Sequence, residues 1–142
     1  QSDLRKVGIE AKIFSEEWAT YLQDTEAGKH PMCLLGWTGD NGDPDNFIYV
    51  LLDKYAATIS SAGNVAFYRS DELHEINIKA RENYNQKERA ELYKKAQEII
   101  HRDVPWVPLA HATQICAFRK TVHDYFLHPT SRKFFYPTWV EK

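Results

Sequence analysis

Cysteine is scarce in this chain of 142 residues, and its spacing excludes several kinds of site. The two cysteines, Cys33 and Cys116, lie far apart, and there is no Cys-x-x-Cys pair of the kind that holds zinc or exchanges disulfides. Both lie in apolar stretches, MCLLGW and QICAF. We therefore favour two buried free thiols over a disulfide, although the spacing alone does not decide between them.

The sequence also lacks long runs of one kind of residue. The formal net charge is −2 and no basic run is present, which argues against a nucleic-acid partner. No apolar run approaches the roughly 20 residues that span a bilayer. The chain begins without methionine or a secretory leader pattern, so we expect a mature segment or a piece of a longer protein, and its N-terminus does not indicate a location.

Catalytic and metal-binding motifs are absent as well. There is no G-x-S-x-G or H-E-x-x-H, and six histidines are scattered without metal spacing. A calcium loop counted from Asp40 fails, because Gly42, Pro44 and Leu51 occupy positions that need oxygen ligands. Asp40 and Asp43 form a possible acid pair, but no nucleophile motif accompanies them. The sequence predicts no catalytic residue, no metal site and no cofactor.

Aromatic residues are plentiful, with four Trp, eight Tyr and seven Phe. One interpretation is an ordinary core with some surface tyrosines. The other is that several of these rings line a ligand pocket or a contact surface.

Short apolar segments predict strands, and they alternate with helical patterns. We expect strands over 9–15 and, as a buried strand, over 31–37, with further extended segments over 104–112 and 113–120. Pro105 and Pro108 place the third segment at a sheet edge or in a polyproline-like run. Alternation of strands with helices predicts an α/β or α+β fold.

Helix signals are clearer than strand signals. Ser15, Ser70 and Asn85 are placed to cap helices, and Asp43-Pro44-Asp45 has the pattern of a helix start. The apolar faces that we expect to be buried are Trp18, Tyr21 and Leu22 in the first helix; Phe47, Val50 and Leu51 in the second; Leu73, Ile76, Ile78 and Ala80, in part, in the third; and Ala90, Tyr93, Ala96, Ile99 and Ile100 in the fourth. Gly28 is a plausible stop for the first helix, and residues 54–66 are expected to form an irregular loop.

The segment GWTGDNGDPDNF, residues 36–47, is the most unusual part of the chain, and we call it the acidic loop. It follows a predicted strand and precedes a helix, which is where α/β folds place ligands. Capping explains Asp43 and Asp45, but it does not explain Asp40. A carboxylate beside Trp37 suits an ammonium group, through charge and cation–π attraction. The alternative is that Asp40 only stabilises a turn.

This loop resembles that of the dipeptide-binding members of the family 5 extracytoplasmic solute-binding proteins. The likeness continues through the Asn64–His111 stretch with its D-x-L helix, R-x-x-L-Y and P-x-x-P-L-x-H patterns, and through RKTVHDYFLHP; LRKVGIEAKI matches the helix-to-strand step. It covers essentially the whole chain. The loop sequence is highly specific, whereas the helices alone would be weak evidence.

The resemblance implies a mixed α/β fold, part of the C-terminal lobe of a type II periplasmic-binding-protein fold, with a mixed sheet flanked by helices. Residues 1–120 would form the second half of that mobile lobe, and residues 121–142 a tail returning to the other lobe. Relatives are much longer than this chain. A loop near Asp53–Phe67, which carries paired cysteines in some relatives, would here be held by packing.

The resemblance also implies a function without catalysis. Asp40 would bind the α-amino group of a di- or oligopeptide, while Leu35, Gly36, Trp37 and Thr38 would line it. The expected partners are the peptide, the permease subunits of an ABC importer, and the remainder of the binding protein or a second copy. The expected location is periplasmic, or extracellular with a lipid anchor.

Two other functions stay open from the sequence. The same scaffold could bind haem, glutathione, a nickel chelate or a longer peptide. Alternatively, the chain could be a stand-alone interaction domain that binds no small molecule. The basic residue that would hold a peptide carboxylate in the family lies upstream of the acidic loop and has no counterpart in this chain.

Overall fold

Five helices and one short strand pair form the regular structure of the protein, in a computed structural model that describes all residues from Gln1 to Lys142. The helices are α1 (Ser2–Lys6), α2 (Trp18–Glu26), α3 (Asp45–Leu52), α4 (Asp71–Glu82) and α5 (Gln86–Asp103), and the strands are β1 (Val122–His123) and β2 (Trp139–Val140). A 3-10 turn covers Lys54–Ala56. None of the helices combines the length and the apolar character that crossing a membrane requires.

The caps of α4 and α5 confirm the sequence prediction. Ser70 accepts a hydrogen bond from the amide of Leu73, and Asn85 accepts from the amides of Lys87 and Glu88. Each bond satisfies a backbone donor that the first helical turn leaves free. The Glu88 carboxylate accepts a further hydrogen bond from the side-chain amide of Asn85 at 3.1 Å, which ties the cap to the first turn of the helix.

Helix α2 forms where it was predicted, but its cap and its buried face differ from the prediction. Glu17 caps it in place of Ser15, accepting from the amides of Ala19 and Thr20. Thr25 is the buried residue of this helix, whereas Trp18 is 60% exposed. Tyr21 and Leu22 are half-buried, so the chain covers the predicted face only in part. The helix ends as expected before Gly28, whose φ is +70°.

The buried face of α3 also differs from the predicted one. It buries Ile48, Leu51 and Leu52, while Phe47 is 42% exposed. The buried positions have the i, i+3, i+4 spacing of one helical face. Phe47 lies against Gly39 of the acidic loop, since a Cβ added at Gly39 would meet the Phe47 ring at 3.0 Å.

The core lies between α3, α4 and α5. Its buried members are Ile48, Leu52, Leu73, Ala80, Tyr93, Ala96 and Ile99. Ile76 and Ile100 pack against this cluster as half-buried residues, as their helical spacing predicts, whereas Ala90 is exposed. The paired apolar faces of α4 and α5 therefore supply most of the core.

A buried polar network ties α3 to the loop over 54–66 and to α4. The Asp53 carboxylate, fully buried, accepts from Asn77 Nδ2 at 3.0 Å and lies 3.0 Å from His74 Nδ1. Asn64 donates to the carbonyl oxygens of Asp53 and Tyr68 at 3.1 and 2.8 Å. Both hydrogen bonds and the packing of its buried alanines therefore hold this loop in place, whereas the sequence predicted packing alone.

The predicted strands are not paired within the chain. Residues 10–16, 30–42 and 105–118 make no backbone–backbone hydrogen bond. Nor is 31–37 buried, because Met32 and Leu34 are 66% and 77% exposed. A strand needs a neighbouring strand to satisfy its amides and to cover its side chains, and the chain offers none to these segments.

The chain's sheet is the antiparallel pair near the C-terminus, where Val122 is opposite Val140 and His123 is opposite Trp139. The rings of His123 and Trp139 stack with centroids 4.3 Å apart. The Trp139 indole donates to Asp124 at 2.8 Å. The division of the chain at residue 120 stays a prediction.

Candidate ligand-binding site

The acidic loop ends by capping α3. Asp43 Oδ1 accepts from the amide of Asp45 at 3.0 Å, and Pro44 already has helical backbone angles. Proline suits this position because its missing N–H would have no helical partner. The capping role predicted for Asp43 is therefore present.

Two of the three acids in the loop face arginines. Arg89 Nη2 donates to both carboxylate oxygens of Asp43 at 2.9 Å, and Arg81 Nε lies 3.0 Å from Asp45 Oδ1. Burial tends to raise the pKa of Asp43, but the Asp45 amide and Arg89 outweigh it and leave this pKa below its ordinary value. Sequence spacing could not reveal either arginine, since each comes from a distant helix.

Asp40 is the exception among these acids. It is exposed and forms no ion pair with any basic side chain of the chain. Its carboxylate accepts one hydrogen bond, a 3.4 Å contact from Asn46 Nδ2. An exposed carboxylate without a cation is free to bind one.

Asn46 joins Asp40 to Trp37. Its Oδ1 accepts from the Asp40 amide at 2.8 Å and from the Trp37 indole Nε1 at 3.2 Å. Asn46 was not among the site residues predicted from the sequence. Its position could have suggested this role, because an asparagine in the first turn of a helix often hydrogen-bonds to the backbone of the preceding loop.

The other predicted site residues lie on the same open segment. Leu35 and Trp37 are 40% and 43% exposed, and Thr38 is exposed. A Cβ at Gly36 would meet no atom within 4 Å. The backbone from Leu35 to Thr38 has no hydrogen-bond partner in the chain, so its polar groups remain available to a ligand or a strand.

Of the loop's three glycines, Gly39 is the one in close contact with other residues. A Cβ there would lie 3.1 Å from the Asn41 carbonyl oxygen and 3.4 Å from Asn46 Oδ1, whereas Gly42, like Gly36, has open space. Two of the protein's surface depressions lie at the turn between α4 and α5, and no residue of the acidic loop lines either of them. The acidic loop is therefore identified by the charges and hydrogen bonds of its residues.

The two cysteines are free, as predicted, but they are not both buried. Cys33 is half-buried, and burial raises the pKa of its thiol. Cys116 is exposed on the unpaired segment 105–118. The chain contains no group of three or more His, Cys, Asp or Glu side chains arranged to hold a metal ion.

Solved structures match this fold over the whole chain. A periplasmic binding protein associated with an ABC transporter, DppA from Helicobacter pylori in complex with the peptide STSA, gives a TM-score of 0.85 and 41% identity over 100% of this chain and 28% of that chain. A dipeptide-binding protein from Pseudoalteromonas sp. SM9913 in complex with Met-Leu gives 0.89 and 30% identity over 99% and 27%. The fold is thus part of a lobe of a type II periplasmic-binding-protein fold, and the predicted fold class is confirmed.

Sequence comparison points to the same relatives. The model of bacterial extracellular solute-binding proteins, family 5 Middle, matches residues 1–58. Di/tripeptide-binding protein 3 of Pseudomonas aeruginosa (strain UCBPP-PA14) is 40% identical over 96% of this chain and 25% of its own length. The predicted resemblance to the family 5 solute-binding proteins is therefore confirmed, and the chain spans about a quarter of the length of the relatives it matches.

Proposed function

We propose that this chain contributes the amine-binding side of a peptide site in the substrate-binding component of an ABC importer. Asp40 binds the free α-amino group of a di- or oligopeptide, and Leu35, Gly36, Trp37 and Thr38 line the peptide. The observation that carries this proposal is the pairing pattern of the loop. Asp43 and Asp45 face arginines, while Asp40 has no cation of its own.

The surroundings of Asp40 support an ammonium ligand. Trp37 lies on the same loop, and its ring can add cation–π attraction. The unpartnered backbone from Leu35 to Thr38 can hydrogen-bond an extended peptide as an added strand would. The similar proteins that are named for dipeptides or di/tripeptides agree with this ligand class.

Transport is the role that we assign to the whole protein. Two lobes would close on the peptide, and the closed form would dock on membrane permease subunits. The other lobe, the remaining part of this lobe, or a second copy would cover the unpaired segments. We place the protein in the periplasm or, lipid-anchored, outside the cell membrane, and we assign it binding without catalysis.

Calorimetry with the complete protein that contains this chain tests the amine-binding role. The probes are the dipeptide Met-Leu and N-acetyl-Met-Leu, which lacks the charged amine. Asp40→Ala should weaken Met-Leu binding by about 2–5 kcal/mol, because an enclosed ammonium loses its charged partner. It should affect the acetylated peptide much less.

Asp3→Asn is the matched control for this experiment. It changes the net charge by the same amount, but Asp3 contacts only the exposed Lys6 on α1. Equal affinity of wild type and Asp40→Ala for Met-Leu would refute the amine-binding role. Binding of haem, glutathione or a nickel chelate in place of Met-Leu would refute the peptide assignment.

A further inference from the structure

The orientation of the Asn46 side chain follows from its neighbours. Its oxygen faces two groups that can only donate, the Trp37 indole N–H and the Asp40 backbone N–H. Reversing the amide would set N–H groups against N–H groups. The Nδ2 group is therefore directed toward the Asp40 carboxylate, 3.4 Å away.

This network has a consequence for each site residue. The Trp37 indole N–H is occupied by Asn46, so the part of Trp37 left to a ligand is its exposed ring surface. Asp40 is held at both its backbone amide and its carboxylate by the same side chain. The loop also packs tightly here, since a Cβ added at Gly39 would lie 3.0 Å from the Phe47 ring.

We propose that Asn46 is a positioning residue, which sets the Trp37 ring and the Asp40 carboxylate at a fixed distance for one ammonium group. This inference rests on the proposed amine-binding function. Asn46 does not itself bind the ligand. It transfers the fixed position of the first turn of α3 to the two residues that do.

The test compares Asn46→Ala with Asn41→Ala in the complete protein that contains this chain. Asn41 is a matched control, because it lies in the same loop and its side chain accepts only from the Asp43 amide. The measured quantity is the ratio of affinities for Met-Leu and N-acetyl-Met-Leu. Asn46→Ala should reduce this preference by about tenfold, and Asn41→Ala should preserve it.

A readout without ligand separates positioning from general damage. The indole N–H signal of Trp37 in ¹⁵N-labelled protein should shift and exchange faster in Asn46→Ala but not in Asn41→Ala. The indole of Trp139, bound to Asp124, is an internal reference that should not change. If Asn46→Ala does not fold, Asn46→Ser replaces it with the same expectations.

The outcomes distinguish the two proposals. If wild type prefers the free amine, Asp40→Asn abolishes that preference and Asn46→Ala retains it, the positioning role is overturned while amine binding stands. An unchanged Trp37 signal in Asn46→Ala also overturns it. If wild type shows no preference for the free amine, the proposed function itself fails, and the positioning role fails with it.

Discussion

Arg89 Nη2 lies 2.9 Å from both carboxylate oxygens of Asp43, joining residues 46 positions apart in the sequence. The same arginine donates through Nε to the Ala80 carbonyl oxygen at 2.9 Å. One side chain on α5 therefore ties the end of the acidic loop to the end of α4.

Arg89→Gln should lower the free energy of unfolding by about 1–2 kcal/mol. A half-buried ion pair with several hydrogen bonds stabilises a protein more than an exposed ion pair does. Urea denaturation measures the effect. Lys79→Gln is the control, since Lys79 and Glu75 are 65% and 70% exposed and 3.8 Å apart. A loss in Lys79→Gln as large as that in Arg89→Gln would contradict this prediction.

The Asp43–Arg89 pair should also make stability depend on pH. The pKa of Asp43 is lowered in the folded state, the Asp45 amide and Arg89 outweighing the effect of burial. The unfolded chain therefore takes up the proton first. The pair's stabilisation is complete above a pH of about 4 and is lost as the pH falls through the folded-state pKa.

Denaturation of wild type and Arg89→Gln over a series of pH values checks this sign. The difference between them should be constant near neutral pH and should shrink in acid. A difference that grows in acid would show that the pair does not lower the pKa of Asp43.

Asn64→Ala should destabilise the protein by about 2–3 kcal/mol, because it leaves the partly buried N–H and C=O of Tyr68 without partners and removes one of the two hydrogen bonds to the Asp53 carbonyl oxygen. Chemical denaturation followed by circular dichroism measures it. Asn41→Ala removes one exposed side-chain hydrogen bond and should cost far less. Similar losses in the two variants would show that the loop over 54–66 is held by packing.

The 142-residue chain alone should self-associate or bind another chain. Segments 10–16, 30–42 and 105–118 expose apolar side chains and unpaired backbone, including Phe14 at 79%, Leu34 at 77% and Ile115 at 89%. Sedimentation velocity tests this. A monomer that unfolds in one cooperative transition would contradict it.

Local signals in the sequence predicted the helices well. Ser70 and Asn85 cap α4 and α5 because capping depends on residues a few positions apart. Helical spacing likewise identified Leu73, Tyr93, Ala96 and Ile99 as buried. These features need no information from outside the segment.

Long-range features were beyond the same signals. The spacing of Trp18, Tyr21 and Leu22 and the apolar run over 31–37 show surfaces that need a partner, but periodicity cannot say whether the partner is in the chain. The pairing of Asp43 with Arg89 likewise depends on tertiary packing. The family resemblance carried by the acidic-loop motif predicted more of the fold than the local patterns did.

Asn46 belongs to α3, so a helix and not a flexible segment sets the arrangement of Trp37 and Asp40. Fixing a mobile loop on association costs about 1–2 kcal/mol of backbone entropy per residue. A ligand arriving at this preorganised loop avoids most of that loss. Under the proposed function, the affinity of a ligand as small as a dipeptide can then come from a few well-placed contacts.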